Sequence, residues 1–87
     1  MYKVEIHKNV LKKDMKKLPP NIRKAVIKKI EELEKNPRPN GYKALKGHQN
    51  TFRIRVGSYR IIYNINDKKV TVLIIAVKPR GNVYNNY

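Results

Sequence analysis

The spacing of apolar residues predicts one long amphipathic helix in the first half of the chain. Apolar side chains recur every three or four positions at Ile22, Val26, Ile30 and Leu33, with Ala25 and Ile27 beside them. Lys and Glu fill most of the remaining positions, so one face of the helix is apolar and the other is charged. Pro20 suits the first turn of a helix and Pro37 stops one, so we expect the helix between these two prolines.

The segment before this helix predicts a strand and a shorter helix. Residues 2–7 alternate apolar and polar side chains, which is the pattern of a strand with one face in water. Asn9 can cap a helix whose apolar positions are Val10, Leu11, Met15 and Leu18. Because only two prolines separate the two helices, we expect them to form an antiparallel hairpin.

Strand patterns dominate the second half of the chain. The predicted strands are residues 42–46, 51–56, 59–65 and 69–77, with tight turns at Gly57-Ser58 and at residues 66–68. Residues 70–77 are apolar except for Thr71, so we expect this strand to be central and covered on both faces. The predicted class is α+β: an N-terminal strand, the helical hairpin, and a mainly antiparallel curved sheet with the hairpin on one face. A single domain over residues 1–87 is expected.

The charge of the chain is strongly positive and uneven. The 21 Lys and Arg residues against 6 Asp and Glu give a formal net charge of +15, and residues 37–87 contain one acid, Asp67. This balance favours a polyanionic partner, either nucleic acid or an acidic protein. With no cysteine and only two histidines, we expect neither a disulfide nor a metal site, and no cofactor. The sequence shows no membrane span or signal region, so we expect a cytoplasmic protein without a membrane partner.

Three arginines are predicted to gather on one face of the sheet. In Phe52-Arg53-Ile54-Arg55-Val56 the apolar residues face one side and both arginines face the other. A hairpin at Gly57-Ser58 would add Arg60 to them. Charged residues on an open face are often merely solvated, but three arginines with no acidic neighbour in sequence indicate a phosphate site. The same lack of carboxylates argues against a paired-carboxylate or Mg²⁺-dependent nuclease.

Further cations and one tyrosine extend this candidate site. Lys78 and Arg80 follow the apolar core of the last strand, and Tyr84 comes soon after them. Tyr84 either packs as a tail residue against the body of the protein or stacks on an unpaired base. Lys43, Lys46 and Lys78 are the additional candidates for binding RNA phosphate.

Several short motifs occur in a specific order and spacing. They are Ala44-Leu45-Lys46-Gly47, Phe52-Arg53-Ile54-Arg55-Val56, Tyr59-Arg60-Ile61-Ile62-Tyr63, Val77-Lys78-Pro79-Arg80 and Val83-Tyr84. In these motifs the chain resembles the RelE-type toxins of the RelE/ParE toxin–antitoxin superfamily. The resemblance implies a metal-independent, ribosome-dependent endoribonuclease that cleaves mRNA in the A site by attack of the ribose 2′-hydroxyl. It also implies an acidic, RelB-like antitoxin as partner, besides the ribosome and mRNA.

The resemblance assigns roles to individual residues. Arg60 and Arg80 would hold the scissile phosphate and the charge that develops on it, and Tyr84 would stack on the target nucleotide. Arg53 and Arg55 complete the expected catalytic set, although well-studied members carry lysine at these positions. Because arginine effectively keeps its proton, both are expected to bind phosphate and not to act as the general base. The proton acceptor stays open among Lys46, Lys78, Tyr84 and a group of the ribosome.

Two alternative functions fit the same sequence. ParE-like relatives share the architecture but act on DNA gyrase and lack the RelE-like set of nucleolytic residues. A non-catalytic RNA-binding protein would suit a net charge of +15 equally well. Retention of Arg60, Arg80 and Tyr84 favours RNA cleavage over the ParE-like function. Growth arrest with shortened mRNA would separate cleavage from RNA binding alone.

Overall fold

The computed structural model describes residues 1–79. Five strands form one sheet: β1 (Lys3–Ile6), β2 (Lys43–Ala44), β3 (Thr51–Val56), β4 (Tyr59–Asn66) and β5 (Thr71–Pro79). Between β1 and β2 lie a π-helical turn at Val10–Asp14, a 3₁₀ turn at Met15–Lys17 and the α-helix α1 at Pro20–Lys35. We call residues 10–17 the short helical segment. The predicted α+β class is confirmed, and no helix within residues 1–79 has the length and apolar character needed to cross a membrane.

The order of the strands in the sheet is β1-β5-β4-β3-β2. β1 runs parallel to β5, and every other neighbouring pair is antiparallel. The parallel pair extends from Lys3 opposite Thr71 to Ile6 opposite Ile74. Beyond Ile74, therefore, β5 continues without a strand on its outer side, next to the short helical segment.

The main core lies between α1 and one face of the sheet. Val26, Ile30 and Leu33 of α1 are buried, as the helical spacing predicts. They pack against alternate residues of the sheet, among them Ile54, Ile61, Tyr63, Ile65, Val72 and Ile74. The buried Tyr63 hydroxyl donates a hydrogen bond of 2.7 Å to the Pro37 carbonyl, and burial raises the pKa of this phenol. The segment that follows α1 is thereby fixed to the sheet.

The hairpin between β3 and β4 has the tight turn that the sequence predicts. Val56 pairs directly with Tyr59, so Gly57 and Ser58 are the only two loop residues. Gly57 has φ +60°, which a two-residue hairpin turn of type II′ requires at its first position. A Cβ there would lie 3.2 Å from the Cδ1 atom of Ile22 at the start of α1. The turn therefore needs glycine for its backbone, and a larger residue would also press against Ile22.

The short helical segment departs from the predicted regular helix. The Asn9 side chain makes no capping bond; instead, the His7 imidazole Nδ1 accepts the Asn9 N–H at 3.1 Å. Val10, Asp14 and Leu18 are buried, four residues apart on one side, while Leu11 is 54 % exposed. The prediction that Leu11 faces inward is therefore wrong, because Val10, Asp14 and Leu18 form the buried side of the short helical segment.

The prediction that the last strand is covered on both faces is also wrong. Leu73 is 37 % exposed and Ile75 is partly exposed, whereas Val72 and Ile74 face the core beneath α1. Single apolar side chains on a solvent face are common in proteins, so composition alone does not show that this face is exposed. The strand also begins later than predicted, at Thr71, because Val70 adopts φ +54° in the preceding turn.

Candidate functional site

The cations of the sheet gather on the face opposite α1, which we call the open face. Arg55 pairs directly with Arg60, and Arg60 pairs on its other side with Lys78. Lys43 pairs with Arg53 in the neighbouring row. Directly paired residues project to the same side of a sheet, so all five cations belong to the open face.

Four of these cations line one pocket. Arg53, Arg55, Arg60 and Lys43 surround a concavity of about 300 Å³, with Gly41 at its border; we call this the arginine pocket. Arg55 and Lys43 are exposed and Arg53 is partly buried. The structure thus brings together the three arginines of β3 and β4 with one of the three lysines that the sequence singles out.

Arg60 lies deepest in the arginine pocket, with 6 % of its surface exposed. Its place on β4, between two paired strands, gives the side chain a rigid base. A guanidinium group offers a planar fork that matches two phosphate oxygens, and partial removal from water strengthens its attraction for an anion. The pocket can therefore hold a phosphodiester group with its charge directed at Arg60.

Lys78 lies outside the arginine pocket, although it is paired with Arg60. Its ammonium donates to the Oδ1 atom of Asp14 at 2.9 Å, and Asp14 is only 6 % exposed. The other carboxylate oxygen of Asp14 accepts the backbone N–H of Val77 at 2.9 Å. The expectation that no acid lies near the cations of the open face is therefore wrong. Asp14 is far from Lys78 in the sequence but pairs with it in the fold.

Lys46 lies in the turn after β2 and is exposed, outside the described lining of the arginine pocket. The preceding residue, Leu45, is 3 % exposed and packs with Ile62 and Ala76 on the open face. The Leu45 N–H also donates to the Thr51 carbonyl at 2.8 Å. The residue before Lys46 is thus anchored both by its backbone hydrogen bond and by its side chain, which packs on the open face.

Two residues of the predicted catalytic set, Arg80 and Tyr84, lie outside the described residues. β5 ends at Pro79, directly before Arg80 in the sequence. Their expected roles stay predictions.

The acid Asp67 lies at the far end of β4, away from the arginine pocket. Its carboxylate accepts two bonds from Arg38, at 2.8 and 3.2 Å, and one of 2.7 Å from the Tyr2 hydroxyl. The Arg38 guanidinium and the Tyr2 hydroxyl lower the pKa of this exposed carboxyl. Asp67 therefore joins β1, the loop after α1 and the β4–β5 turn, and it does not neutralise the open face.

Comparison with known proteins identifies the family. A family model described as the ParE toxin of type II toxin–antitoxin systems (parDE) matches residues 4–84. Toxin RelG of Mycobacterium tuberculosis is 35% identical over 84% of this chain and 85% of its own. The mRNA interferase toxin RelE of Escherichia coli is 34% identical over 84% of this chain and 80% of its own. The chain belongs to the RelE-type toxins of the RelE/ParE superfamily.

Solved structures agree with this assignment for the fold of the toxin. The archaeal RelE of a RelE–RelB complex from Pyrococcus horikoshii superimposes with a TM-score of 0.81 and 34% identity, over 92% of this chain and 96% of that one. The isolated Escherichia coli RelE toxin superimposes with a TM-score of 0.77 and 29% identity, over 98% of this chain and 93% of that one. The sheet and helices of this RelE-type toxin therefore follow the family architecture over nearly their whole length.

The site of this RelE-type toxin is rich in phosphate-binding groups and poor in groups that move protons. Within residues 1–79, no cluster of three His, Asp or Glu side chains is arranged to hold a metal ion. Arginine does not serve as a proton acceptor, and the Lys78 ammonium is already a donor to Asp14. What the described arrangement can do is bind a phosphodiester and stabilise added negative charge on it.

Among the charged residues that residues 1–79 bring to this part of the sheet, Asp14 was not predicted from the sequence. A signal was present, because Val10, Asp14 and Leu18 follow a spacing of four residues. That spacing places the acid on the inner side of the short helical segment. What it approaches there depends on the sheet, and the sequence does not reveal that.

Proposed function

We propose that this toxin is a metal-independent, ribosome-dependent endoribonuclease that cleaves mRNA in the ribosomal A site. The observation that carries the proposal is the arginine pocket, in which Arg53, Arg55 and the buried Arg60 converge with Lys43. The name of the Escherichia coli relative, an mRNA interferase, supports the same activity. Cleavage of mRNA would inhibit translation, which is how this toxin would act.

The proposed reaction is an attack by the ribose 2′-hydroxyl oxygen on the adjacent phosphorus. The bond from phosphorus to the 5′ oxygen breaks and this oxygen takes a proton from water, leaving a cyclic phosphate on one fragment and a free 5′-hydroxyl on the other. Arg60 would hold the non-bridging oxygens as the phosphorane gains charge, and Arg53 and Arg55 would fix the backbone of the RNA. Arg80 would bind the same phosphate, and Tyr84 would stack on the target base.

The acceptor of the 2′-hydroxyl proton is one of three candidates in this proposal. Of the groups considered from the sequence, we set Lys78 aside, because its ammonium already donates to Asp14. Lys46, Tyr84 and a group supplied by the ribosome remain. Weak proton-transfer machinery would make the free toxin a poor nuclease, so that the ribosome must shape the RNA for attack. This accounts for the proposed dependence on ribosomes.

The proposed partners are mRNA, the ribosome and an acidic, RelB-like antitoxin, all meeting the toxin in the cytoplasm. The net charge of +15 favours association with each of these anions. The relative from Pyrococcus horikoshii was solved as a RelE–RelB complex, which supports an antitoxin of this type. We expect the association with the antitoxin to be tight and to weaken with salt.

A second function has one specific observation in its favour. The matching family model is described as the ParE toxin of type II toxin–antitoxin systems. The ParE-like alternative that the sequence left open is a toxin that acts on DNA gyrase. Such a toxin would leave mRNA intact and inhibit DNA supercoiling. The arginine pocket gives no reason for that activity, so we place it second.

The deciding experiment maps mRNA ends in a translation extract with and without this toxin. Loss of one donor that stabilises a transition state typically costs about 10²–10³ in rate, so Arg60→Ala should reduce cleavage by that factor. If the buried Arg60→Ala variant folds poorly, Arg60→Lys can replace it in the test. This variant keeps the charge but loses the planar fork, so it should also be impaired. Lys24→Ala, an exposed change on α1, is the matched control and should cleave normally.

Three results would overturn the proposal. Wild-type cleavage by both Arg60 variants would remove the assigned mechanism. Intact mRNA together with inhibited supercoiling would select the ParE-like function. RNA that is bound and left whole, with no arrest of growth, would select a non-catalytic RNA-binding protein.

A further inference from the structure

The last part of β5 is held by a side chain where a strand is missing. β1 ends at Ile6, which pairs with Ile74, so β5 has no strand on that side beyond this point. The Val77 N–H is nevertheless bonded, because it donates to the Oδ2 atom of Asp14 at 2.9 Å. Asp14 comes from the short helical segment, 63 residues earlier in the chain. One carboxylate therefore replaces the missing strand at the end of the sheet.

The same carboxylate is connected through β5 to the strand that carries Arg60. Its second oxygen accepts the Lys78 ammonium at 2.9 Å, and Lys78 pairs with Arg60 across β4 and β5. Val77 pairs with Ile61, the neighbour of Arg60. Two successive residue pairs, Val77 with Ile61 and Lys78 with Arg60, therefore connect the end of β5 that Asp14 holds to the strand that carries Arg60.

Asp14 is buried and both of its carboxylate oxygens are bonded. It is 6 % exposed, and its two donors are the backbone N–H of Val77 in β5 and the Lys78 ammonium. The other charged or titratable groups along its cleft are Lys13 and His7, so Asp14 is the one acid among the described residues there. Removal of its side chain would leave the Val77 N–H buried without an acceptor.

We propose that Asp14 is a positioning residue for RNA cleavage, which acts by holding the Val77 N–H and so fixing the end of β5 beside Arg60. The inference rests on the proposed function and deepens it. A misplacement of about 1 Å at a reacting centre can cost about 10²-fold in rate, so a backbone anchor one strand away can affect catalysis. The decisive bond is the one to Val77, and the pairing with Lys78 is secondary.

Two substitutions at Asp14 separate positioning from charge. Asp14→Asn keeps the shape and an oxygen that can accept the Val77 N–H, but it loses the charge opposite Lys78. Asp14→Ala loses both. In steady-state cleavage on mRNA-loaded ribosomes, we expect Asp14→Ala to lower kcat at least about tenfold with KM changed less than about threefold. Asp14→Asn should stay within about threefold of the wild type in kcat.

Amide hydrogen exchange at Val77, followed by NMR on the intact toxin, supplies a readout independent of cleavage. Exchange should be slow in the wild type and in Asp14→Asn, and fast in Asp14→Ala. Asp67→Ala is the matched control, because it removes another bonded acid at the far end of β4 and should leave both kcat and Val77 exchange unchanged. If Asp14→Ala does not fold, Asp14→Leu fills the site without an acceptor and replaces it.

The outcomes distinguish this inference from the proposed function. Wild-type kcat in Asp14→Ala, or equal loss of kcat in Asp14→Asn and Asp14→Ala, overturns the positioning role. An inactive Arg60→Ala beside a fully active Asp14→Ala removes the positioning role alone. A fully active Arg60→Ala removes the proposed mechanism itself.

Discussion

Three arginines and one lysine line the arginine pocket, and the two residue types differ in their chemistry. Both can bind phosphate, but arginine effectively cannot accept a proton. Arg53, Arg55 and Arg60 offer fixed forks for phosphate and keep their protons. Lys43 is the one described lysine in the pocket lining, on the short edge strand β2 opposite Arg53. At this scale the described residues supply groups that can bind an anion, and the proposed phosphate contact of Lys43 can be tested directly.

We expect Lys43 to bind phosphate. Lys43→Arg keeps the positive charge and cannot accept a proton, so it should cleave ribosome-bound mRNA within about threefold of the wild-type rate. Lys43→Ala loses a charge-assisted hydrogen bond worth about 1.5–3 kcal/mol, which corresponds to a loss of about tenfold or more. If Lys43→Arg were as slow as Lys43→Ala, the phosphate-binding role of Lys43 would be wrong.

Among the elements, the turn between β4 and β5 stores backbone strain. Val70 has φ +54°, a left-handed conformation that a β-branched residue rarely adopts. Its carbonyl accepts the Lys3 N–H at 2.9 Å, which joins the start of β1 to the turn. The Asn66 side chain accepts the Lys69 N–H at 3.0 Å. These bonds hold the turn in place despite the unfavourable residue at position 70.

Val70→Asn should therefore stabilise the toxin. Asparagine tolerates the left-handed region, and relief of this strain is worth about 1 kcal/mol. The melting temperature should rise by about 4–8 °C, measured by circular dichroism or calorimetry. Ile27→Asn, at a 46 % exposed position within α1, is the control for a polar change without left-handed backbone and should give no gain. An unchanged melting temperature in Val70→Asn would show that the turn is not strained.

In the molecule as a whole, positively charged side chains lie on both sides of the sheet, but those of the arginine pocket converge on one concavity. The open face carries the arginine pocket, whereas exposed lysines such as Lys24 and Lys28 lie on α1, behind the core. Asp67 neutralises Arg38 at one end of the sheet and Asp14 neutralises Lys78 at the other. The two acids thus leave the charge of the pocket directed at solvent.

The salt dependence of RNA binding should report this organisation. For single-stranded RNA made non-cleavable by 2′-O-methylation, log K should fall linearly with log salt, by about 0.7 per phosphate contact. Arg53→Gln with Arg55→Gln should reduce that slope by about 1.4, whereas Lys24→Gln with Lys28→Gln should leave it unchanged. Equal effects of the two pairs would mean that RNA responds to the net charge and not to the open face.

Much of the fold and part of the site could be predicted from the sequence. The stripe of Val26, Ile30 and Leu33 placed α1 correctly, because sixteen helical residues average out local exceptions. The alternation around Arg53 and Arg55 likewise placed both on one face of β3. The short helical segment was predicted less well, because in eight residues one contact to the rest of the protein outweighs intrinsic preference.

The family, the helix, the hairpin at Gly57 and the gathering of three arginines could all be predicted from the sequence, since each depends on periodicity or on motifs within a short stretch. The place of Lys43 in the pocket, the pairing of Lys78 with Asp14 and the exposure of Leu73 on β5 depend on contacts between distant segments. The physical reason is distance along the chain. Asp14 and Val77 are 63 residues apart, and only the packing of the short helical segment against the end of β5 makes them partners.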